Sequence, residues 1–362
     1  MTASDPLSPA PPPAASTGVQ QIAVAPDEAE TRLDRWFRRR FPHITQGRIE
    51  KMLRKGEIRV DGGRAKSAQR LEAGQVVRVP PLPAAQLKEA GHAAETKPRS
   101  IIAPEDAAMI RNAVIYEDAH LVVLNKPPGL AVQGGSGTDR HVDGLSAALA
   151  ADGARPKLVH RLDKDTSGVL ILARTPRAAA VLARGFHARD TRKIYWALVA
   201  GCPQPPAATI RFGLVKAGGE AERMRCLHPD EVSGVPGAKH AVSDYCVIEA
   251  AARRAAWVAL APITGRTHQL RAHMAQIGHP IVGDGKYGGR GQTNEGDGWG
   301  AQLGGQISRK LHLHARSLTL THPETGKMQT FTAPLPDHMQ RSWAFFGWQQ
   351  DSTPDDPFEG RP

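Results

Sequence analysis

Between two apolar stretches, Leu158-Val159 and the five-residue run that starts at Val169, the chain places His160, Arg161, Asp163, Lys164 and Asp165. Few arrangements constrain a fold more. An unpaired charge next to a core is costly, so such groups must pair with one another or carry out chemistry. The apolar run has the length of a buried strand. Thr166-Ser167-Gly168 reads as the turn that feeds it. This segment is the candidate active site, and the rest of the chain is read for what could surround it.

The 362 residues are enough for two domains, and 40% hydrophobic with 23% charged residues is ordinary for a soluble chain. No apolar run approaches the ~18–20 residues needed to span a bilayer. The start, Met1 to Pro6, lacks a basic segment and an apolar core, so no secretion signal is read there. Cys202, Cys226 and Cys246 are odd in number and lack CxxC spacing, which points to neither a disulfide framework nor a zinc site. A cytoplasmic protein without membrane attachment is expected.

The formal charge of +11 is unevenly spread. Residues 31–80 carry 14 Lys/Arg against 5 Asp/Glu. Charge concentrated in this way suits a polyanion, and nucleic acid ranks ahead of membrane because no amphipathic anchor accompanies it. Thr31, as N-cap, is expected to open a helix with Leu33, Trp36 and Phe37 on its apolar side. A second helix is capped by Thr45, buries Ile49, Met52 and Leu53, displays Arg48, Lys51, Arg54 and Lys55, and stops at Gly56. A small hairpin follows, Glu57–Val60 and Gln75–Val79. The order and spacing of Arg32-Leu33-Asp34-Arg35, Gly56 to Gly62 and Leu71 to Val77 resemble the S4 RNA-binding domain. The resemblance implies that Arg32, Arg35, Arg48, Lys51, Arg54 and Lys55 contact RNA phosphates.

Beyond this unit, residues 81 to about 109 read as a Pro/Ala/Lys-rich linker. Two short strands, Val114–Asp118 and from Leu121, end in a Pro-Pro-Gly corner. A Gly134–Gly137 loop and a helix over Val142–Ala151 come next. Pro176–Arg189 is expected to be a helix and Lys193–Ala200 a strand. Further strands are read near Ala241–Ala250, Ala255–Pro262 and Arg316–Thr321, with a helix over His268–Ile277 stopped by Gly278. No P-loop lysine and no GxGxxG motif accompanies the Gly-rich loop, so no nucleotide cofactor is expected.

His160-Arg161-Leu162-Asp163 with Thr166-Ser167-Gly168, Lys193-Ile194-Tyr195, Gly265 to Arg271 and Leu311 to Ala315 together resemble the pseudouridine synthases. More narrowly, they resemble the branch that acts on ribosomal large-subunit RNA; Asn125-Lys126-Pro127 and the Gly134–Gly137 loop are similar to its C type. The resemblance implies an α+β fold: a mixed, mainly antiparallel catalytic sheet domain preceded by the small S4-like α/β domain. The expected division is a disordered tail at 1–19, the S4-like domain at 20–82 and a linker at 83–109. The catalytic domain is expected at 110–347 and an acidic tail at 348–362.

It also implies the chemistry. Turning uridine into its C-glycoside breaks the N-glycosidic bond, turns the uracil over and rejoins it through carbon. The reaction has no redox step and no net hydrolysis, so neither a cofactor nor a metal is expected. One carboxylate can attack sugar or base, or take a ribose proton. By the family pattern it is Asp163, and the choice among those roles is open. Arg271 is its expected cationic partner, and breaking that pair is expected to cost about 3–5 kcal/mol. Tyr195 is expected to stack on the base and Arg161 to fill the gap left by the flipped nucleotide.

Competing readings are weaker. His160, His268, His273, His312 and His314 suggest metal ligation, but His268 and His273 are five apart, not the four of a helical zinc pair. His160-Arg161-Leu162-Asp163 differs in order from a kinase catalytic loop, and no nucleotide-binding loop precedes it. The expected partner is large-subunit ribosomal RNA, with the protein acting as a monomer. The alternatives are a tRNA or other rRNA-site synthase and a non-catalytic ribosome-assembly factor.

Overall fold

The computed structural model describes residues 18–42, 44–82, 102–134, 140–151, 153–188, 190–218, 223–288, 306–354 and 356–359. The expected tail over 1–17, the linker over 83–101, residues 135–137 of the Gly-rich loop and residues 289–305 lie outside them. The chain divides into two compact units, Met1–Ile101 and Ile102–Pro362. No helix among the described residues is long and apolar enough to cross a membrane.

In the first unit, strands β1 (Gln20–Ala23), β2 (Arg59–Val60), β3 (Gly63–Arg64) and β4 (Val76–Val79) form an antiparallel sheet in the order β1-β4-β2-β3. Helices α1 (Leu33–Arg40) and α2 (Gln46–Lys55) bury Trp36, Phe37 and Ile49 in one core, which Ile58, just before β2, also enters. Helix α2 begins and ends where the sequence places it, with Gly56 at φ 71 closing it. Glycine meets that left-handed geometry without strain. Helix α1 corrects the expectation for Thr31, because Arg32 is its N-cap and no side chain caps it. The reason is a bridge from Arg32 to Arg70. It lets the carbonyls of Gln69 and Ser67 accept the amides of Leu33 and Asp34, at 2.8 and 3.1 Å, in place of a side chain.

The second unit is α+β. Its first helix, α3 (Pro104–Asn112), falls partly in the expected linker. Pro104 in the first turn followed by Glu105 and Asp106 is a helix start, and Ile110 is fully buried. Strands β5 (Val114–Glu117) and β6 (Leu121–Lys126) follow as expected. The expected helix from Val142 is only α4 (Val142–Leu145) and a 3-10 turn over Ser146–Leu149.

The chain then lays down β7 (Lys157–Leu158), β8 (Ser167–Ala173), helix α5 (Pro176–Ala188) and β9 (Arg192–Ala200). Strands β10 (Ala207–Lys216) and β11 (Met224–Leu227) were not expected. Strands β12 (Lys239–Ala251) and β13 (Ala255–Pro262), helix α6 (Gln269–Gln276) and β14 (Leu313–Thr321) match expectation closely. Strand β15 (Met328–Thr332) and helix α7 (Asp337–Phe346) complete the unit.

The sheet runs β11-β10-β12-β13-β9-β14-β8-β6-β5, with β15 on β14 and β7 on β8. Every pairing between these strands is antiparallel except β14 with β8. Strands β8 and β9 follow each other in sequence, yet β14 lies between them and joins the two halves of the sheet. That insertion explains why Ser167 and Gly168 are strand rather than turn: they pair with His314 and Ala315 of β14. Gly168 sits at φ 110, and a Cβ there would collide with the Ala315 carbonyl.

Residues 348–354 and 356–359 correct the expected acidic tail. Trp348 is buried against Trp257 and Trp343, at ring-centroid separations of 6.2 and 5.5 Å. Asp356 takes both ends of the Arg192 fork at 2.8 and 3.1 Å, and the Phe358 ring lies 5.2 Å from the same guanidinium. Counting acidic residues hid two apolar anchors, Trp348 and Phe358.

Candidate active site

The turn that carries Asp163 is held at several points. Its first support is His160. Strand β14 pairs with β8 at Ser167 and Gly168, and β7 pairs with it at Leu172 and Ala173. In the gap between them the His160 imidazole accepts the Ile171 amide at 2.9 Å, taking the place of a neighbouring strand. Burial, with a smaller effect from the Lys193 charge, pushes its pKa down to about 3, so the ring is neutral and free to accept. Leu162 is buried in the core beneath, and the Thr166 amide donates to the Asp163 carbonyl at 3.2 Å.

The second support is Lys126, which is fully buried. Its Nζ donates to the carbonyls of Pro127, Leu130 and Lys164 at 2.8, 2.9 and 2.9 Å. Three acceptors match the three N–H bonds of an ammonium. Burial drives its pKa down to about 7, against the pull of Asp165 and Asp163. Below the turn, Ser167 and the buried His314 share a hydrogen bond of 2.9 Å.

These supports leave the Asp163 carboxylate in a cleft of about 300 Å³. Arg161, Phe186, Lys193, Tyr195 and Arg271 are among the groups that line it. Arg271 Nη1 donates to Asp163 Oδ2 at 3.3 Å across 108 residues of sequence. The side chain of Asp163 is 22% exposed and that of Arg271 5%. His268 Nε2 is 3.8 Å from the same oxygen, and its Nδ1 shares a hydrogen bond of 3.1 Å with the Tyr287 hydroxyl. Tyr195 lies in the wall with its phenol pKa raised, by burial first and then by the Asp163 charge. It is therefore an O–H donor and a stacking face at neutral pH.

The closest partner of Arg271 is a residue that sequence reasoning did not single out. Asp284 is buried and takes Arg271 Nε and Nη2 at 2.7 Å each, in a fork-to-fork pair. Its Oδ1 also accepts the amides of Lys286 and Tyr287 at 2.9 and 3.1 Å. Burial works against the Arg271 charge, but Asp284 first and Asp163 second raise its pKa above the ordinary arginine value. The expectation of a two-member pair is therefore corrected. Arg271 is a bridge between a buried anchor, Asp284, and the carboxylate that faces the cleft.

Arg161 is exposed at the cleft, and its guanidinium makes no hydrogen bond or ion pair among the described residues. In the first unit, Arg48, Lys51 and Lys55 border one hollow along α2, a spacing that sets them on one helix face. Arg35 and Arg54 are exposed. Arg32 differs, because its guanidinium holds Asp34 at 3.1 and 2.6 Å and raises its own pKa through that bond. Exposed Arg38 and Arg39, on α1, add to the basic surface and were not singled out.

A family model described as RNA pseudouridylate synthase matches residues 120–276, which hold Asp163, Tyr195 and Arg271, and an S4 domain model matches 31–77. The ribosomal large subunit pseudouridine synthase C of Vibrio cholerae is 35% identical over 332 residues, covering 90% of this chain and 96% of its own. The chain belongs to the RNA pseudouridylate synthase family. The synthase C of Salmonella typhimurium is 36% identical over 328 residues, covering 89% and 95%. Among solved structures, Human RNA Pseudouridylate Synthase Domain Containing 4 superposes with a TM-score of 0.55 at 30% identity, over 67% of this chain and 95% of its own. As a pseudouridine synthase the chain is an isomerase, with an S4 RNA-binding domain at its N-terminus.

Proposed function

We propose that this synthase isomerises specific uridines of 23S ribosomal RNA, with Asp163 as the reacting carboxylate. Support for the RNA comes from the two relatives above, whose names place their action on the ribosomal large subunit, and from the basic S4 domain. The observation that carries the role of Asp163 is the 3.3 Å ion pair of its carboxylate with Arg271 in a cleft walled by Tyr195.

Extruding a uridine costs a few kcal/mol of stacking and pairing. Tyr195 offers the extruded base a face to stack on, and the exposed Arg161 reaches the space it leaves. Asp163 then either attacks as a nucleophile or takes a proton. In both cases Arg271 holds the carboxylate oriented and lessens the penalty of its charge in the cleft.

The test is Asp163→Asn. Pseudouridine formation on 23S rRNA is expected to vanish while RNA affinity stays within about twofold, since the charge that binds RNA lies elsewhere. Full activity of the variant overturns the assignment. Carbodiimide mapping of 23S rRNA from a strain lacking the gene names the sites. An unchanged map moves the substrate to another RNA.

A further inference from the structure

The cations around the cleft are not equivalent. Arg271 is neutralised by two carboxylates. Arg266 donates from Nε to the His240 carbonyl at 3.2 Å. Arg161 stands in water. Lys193 is only half-exposed, yet its ammonium has no ion pair or hydrogen bond among the described residues. What it has is an aromatic wall: Nζ lies 5.2 Å from the centroid of Phe186, whose ring stacks on His160 at 4.4 Å. Burial alone moves its pKa below the ordinary lysine value.

A cation partly withdrawn from water without a counter-charge raises the energy of the empty cleft, unless the ligand brings the anion. The cation–π contact offsets only part of that penalty. Lys193 and Tyr195 are two apart on β9 and both line the cleft. That spacing separates their Cα atoms by about 6.5–7 Å on one strand face. A base stacked on Tyr195 therefore has its own sugar and phosphate, rather than its ring, within reach of Lys193. Phosphate is the ionised group of RNA near neutral pH.

We propose that Lys193 is a substrate-positioning residue that binds the backbone phosphate beside the flipped uridine, a reading that rests on the proposed function. The phosphate fixes where the nucleotide enters, and Tyr195 and Asp163 then meet the base and the reacting atoms. Lys193 takes no part in bond making.

The experiment uses the full-length enzyme and a short 23S fragment that contains a mapped uridine. Lys193→Met keeps the apolar stem and removes the charge. KM is expected to rise about tenfold, the worth of one charge-assisted contact, with kcat within about twofold. The slope of log affinity against log salt is expected to fall by about 0.7, the value for one single-strand phosphate. Lys193→Arg is expected to restore most of the affinity. A methylphosphonate at that one linkage is expected to weaken wild type by the same factor and to leave Lys193→Met unaffected.

An unchanged KM and salt slope in Lys193→Met overturn the inference. So does a fall in kcat at constant KM, which places Lys193 in the chemistry. If wild type forms no pseudouridine in any 23S fragment, the proposed function fails first and the inference with it.

Discussion

Arg271 permits a prediction that separates stability from activity. In Asp284→Asn one oxygen becomes an NH2 group. Among the described residues, Asp284 Oδ1 accepts three N–H groups, from Arg271 Nη2, Lys286 and Tyr287, whereas Oδ2 accepts Arg271 Nε alone. The amide oxygen therefore stays at the Oδ1 position, and the new NH2 faces Nε, donor against donor. One charge-assisted bond is lost outright and the other loses its ionic partner. At 1.5–3 kcal/mol per charged hydrogen bond, and with Asp163 remaining as a counter-charge, the expected loss of stability is about 3 kcal/mol. Asp163→Asn removes one 3.3 Å contact on the solvent side and leaves the Asp284 fork intact. Its loss of stability is expected to be under about 1 kcal/mol.

Urea unfolding of wild type and both variants, at unchanged m-value, measures this directly. Activity should rank differently: Asp163→Asn inactive, Asp284→Asn reduced about a hundredfold because the arginine that aims the carboxylate is loosened. Equal destabilisation by the two variants would refute the bridge. So would an Asp284→Asn protein as stable and active as wild type.

Two further outcomes follow from burial. His160, His273, His312 and His314 have pKa values pushed down by desolvation to about 3, 4, 3 and 3. Each is neutral when folded but takes a proton when unfolded below its ordinary value near 6.5, so stability is full above that pH and falls as pH drops. The expected slope between pH 6 and 4.5 is about 1.4 kcal/mol per pH unit for each imidazole, read by urea midpoints across that range. A flat profile there contradicts the neutral assignment. A chain that stops at Gly347 loses Trp348, the Asp356 partner of Arg192 and the Phe358 ring. It is expected to lose at least about 3 kcal/mol, the usual cost of emptying a buried tryptophan site. Unchanged thermal unfolding would return these residues to the status of a loose tail.

What could be read in the sequence was local. Asp163 and its neighbours form one continuous segment, and α2 combines an apolar stripe with a glycine stop, so each could be read from a few adjacent residues. Asp284 could not, because Gly283-Asp284-Gly285 has the composition of an ordinary turn and its partner on α6 is 13 residues away. Lys126 shows in the sequence only as part of Asn125-Lys126-Pro127. Its role depends on three carbonyls, and backbone groups leave no mark in a sequence. Strand β10 follows a Pro-Pro pair and contains Gly213, where a Cβ would strike Val232, so packing overrides what composition suggests. Trp348 lies beyond the last expected element, where the acidic residues that follow dominate the composition.

The place of β14 sets a time at which the enzyme can begin to work. Asp163 precedes β8 in the half of the sheet laid down first, Tyr195 lies on β9 and Arg271 on α6 in the part laid down second, and β14, near the end of the chain, joins β8 to β9. During synthesis the S4 segment emerges early, and a nascent chain that already holds Asp163, Tyr195 and Arg271 still lacks β14, which pairs with both β8 and β9 and adds Leu313 to the cleft. A chain cut before Leu313 is thus expected to keep the S4 segment and to form no pseudouridine.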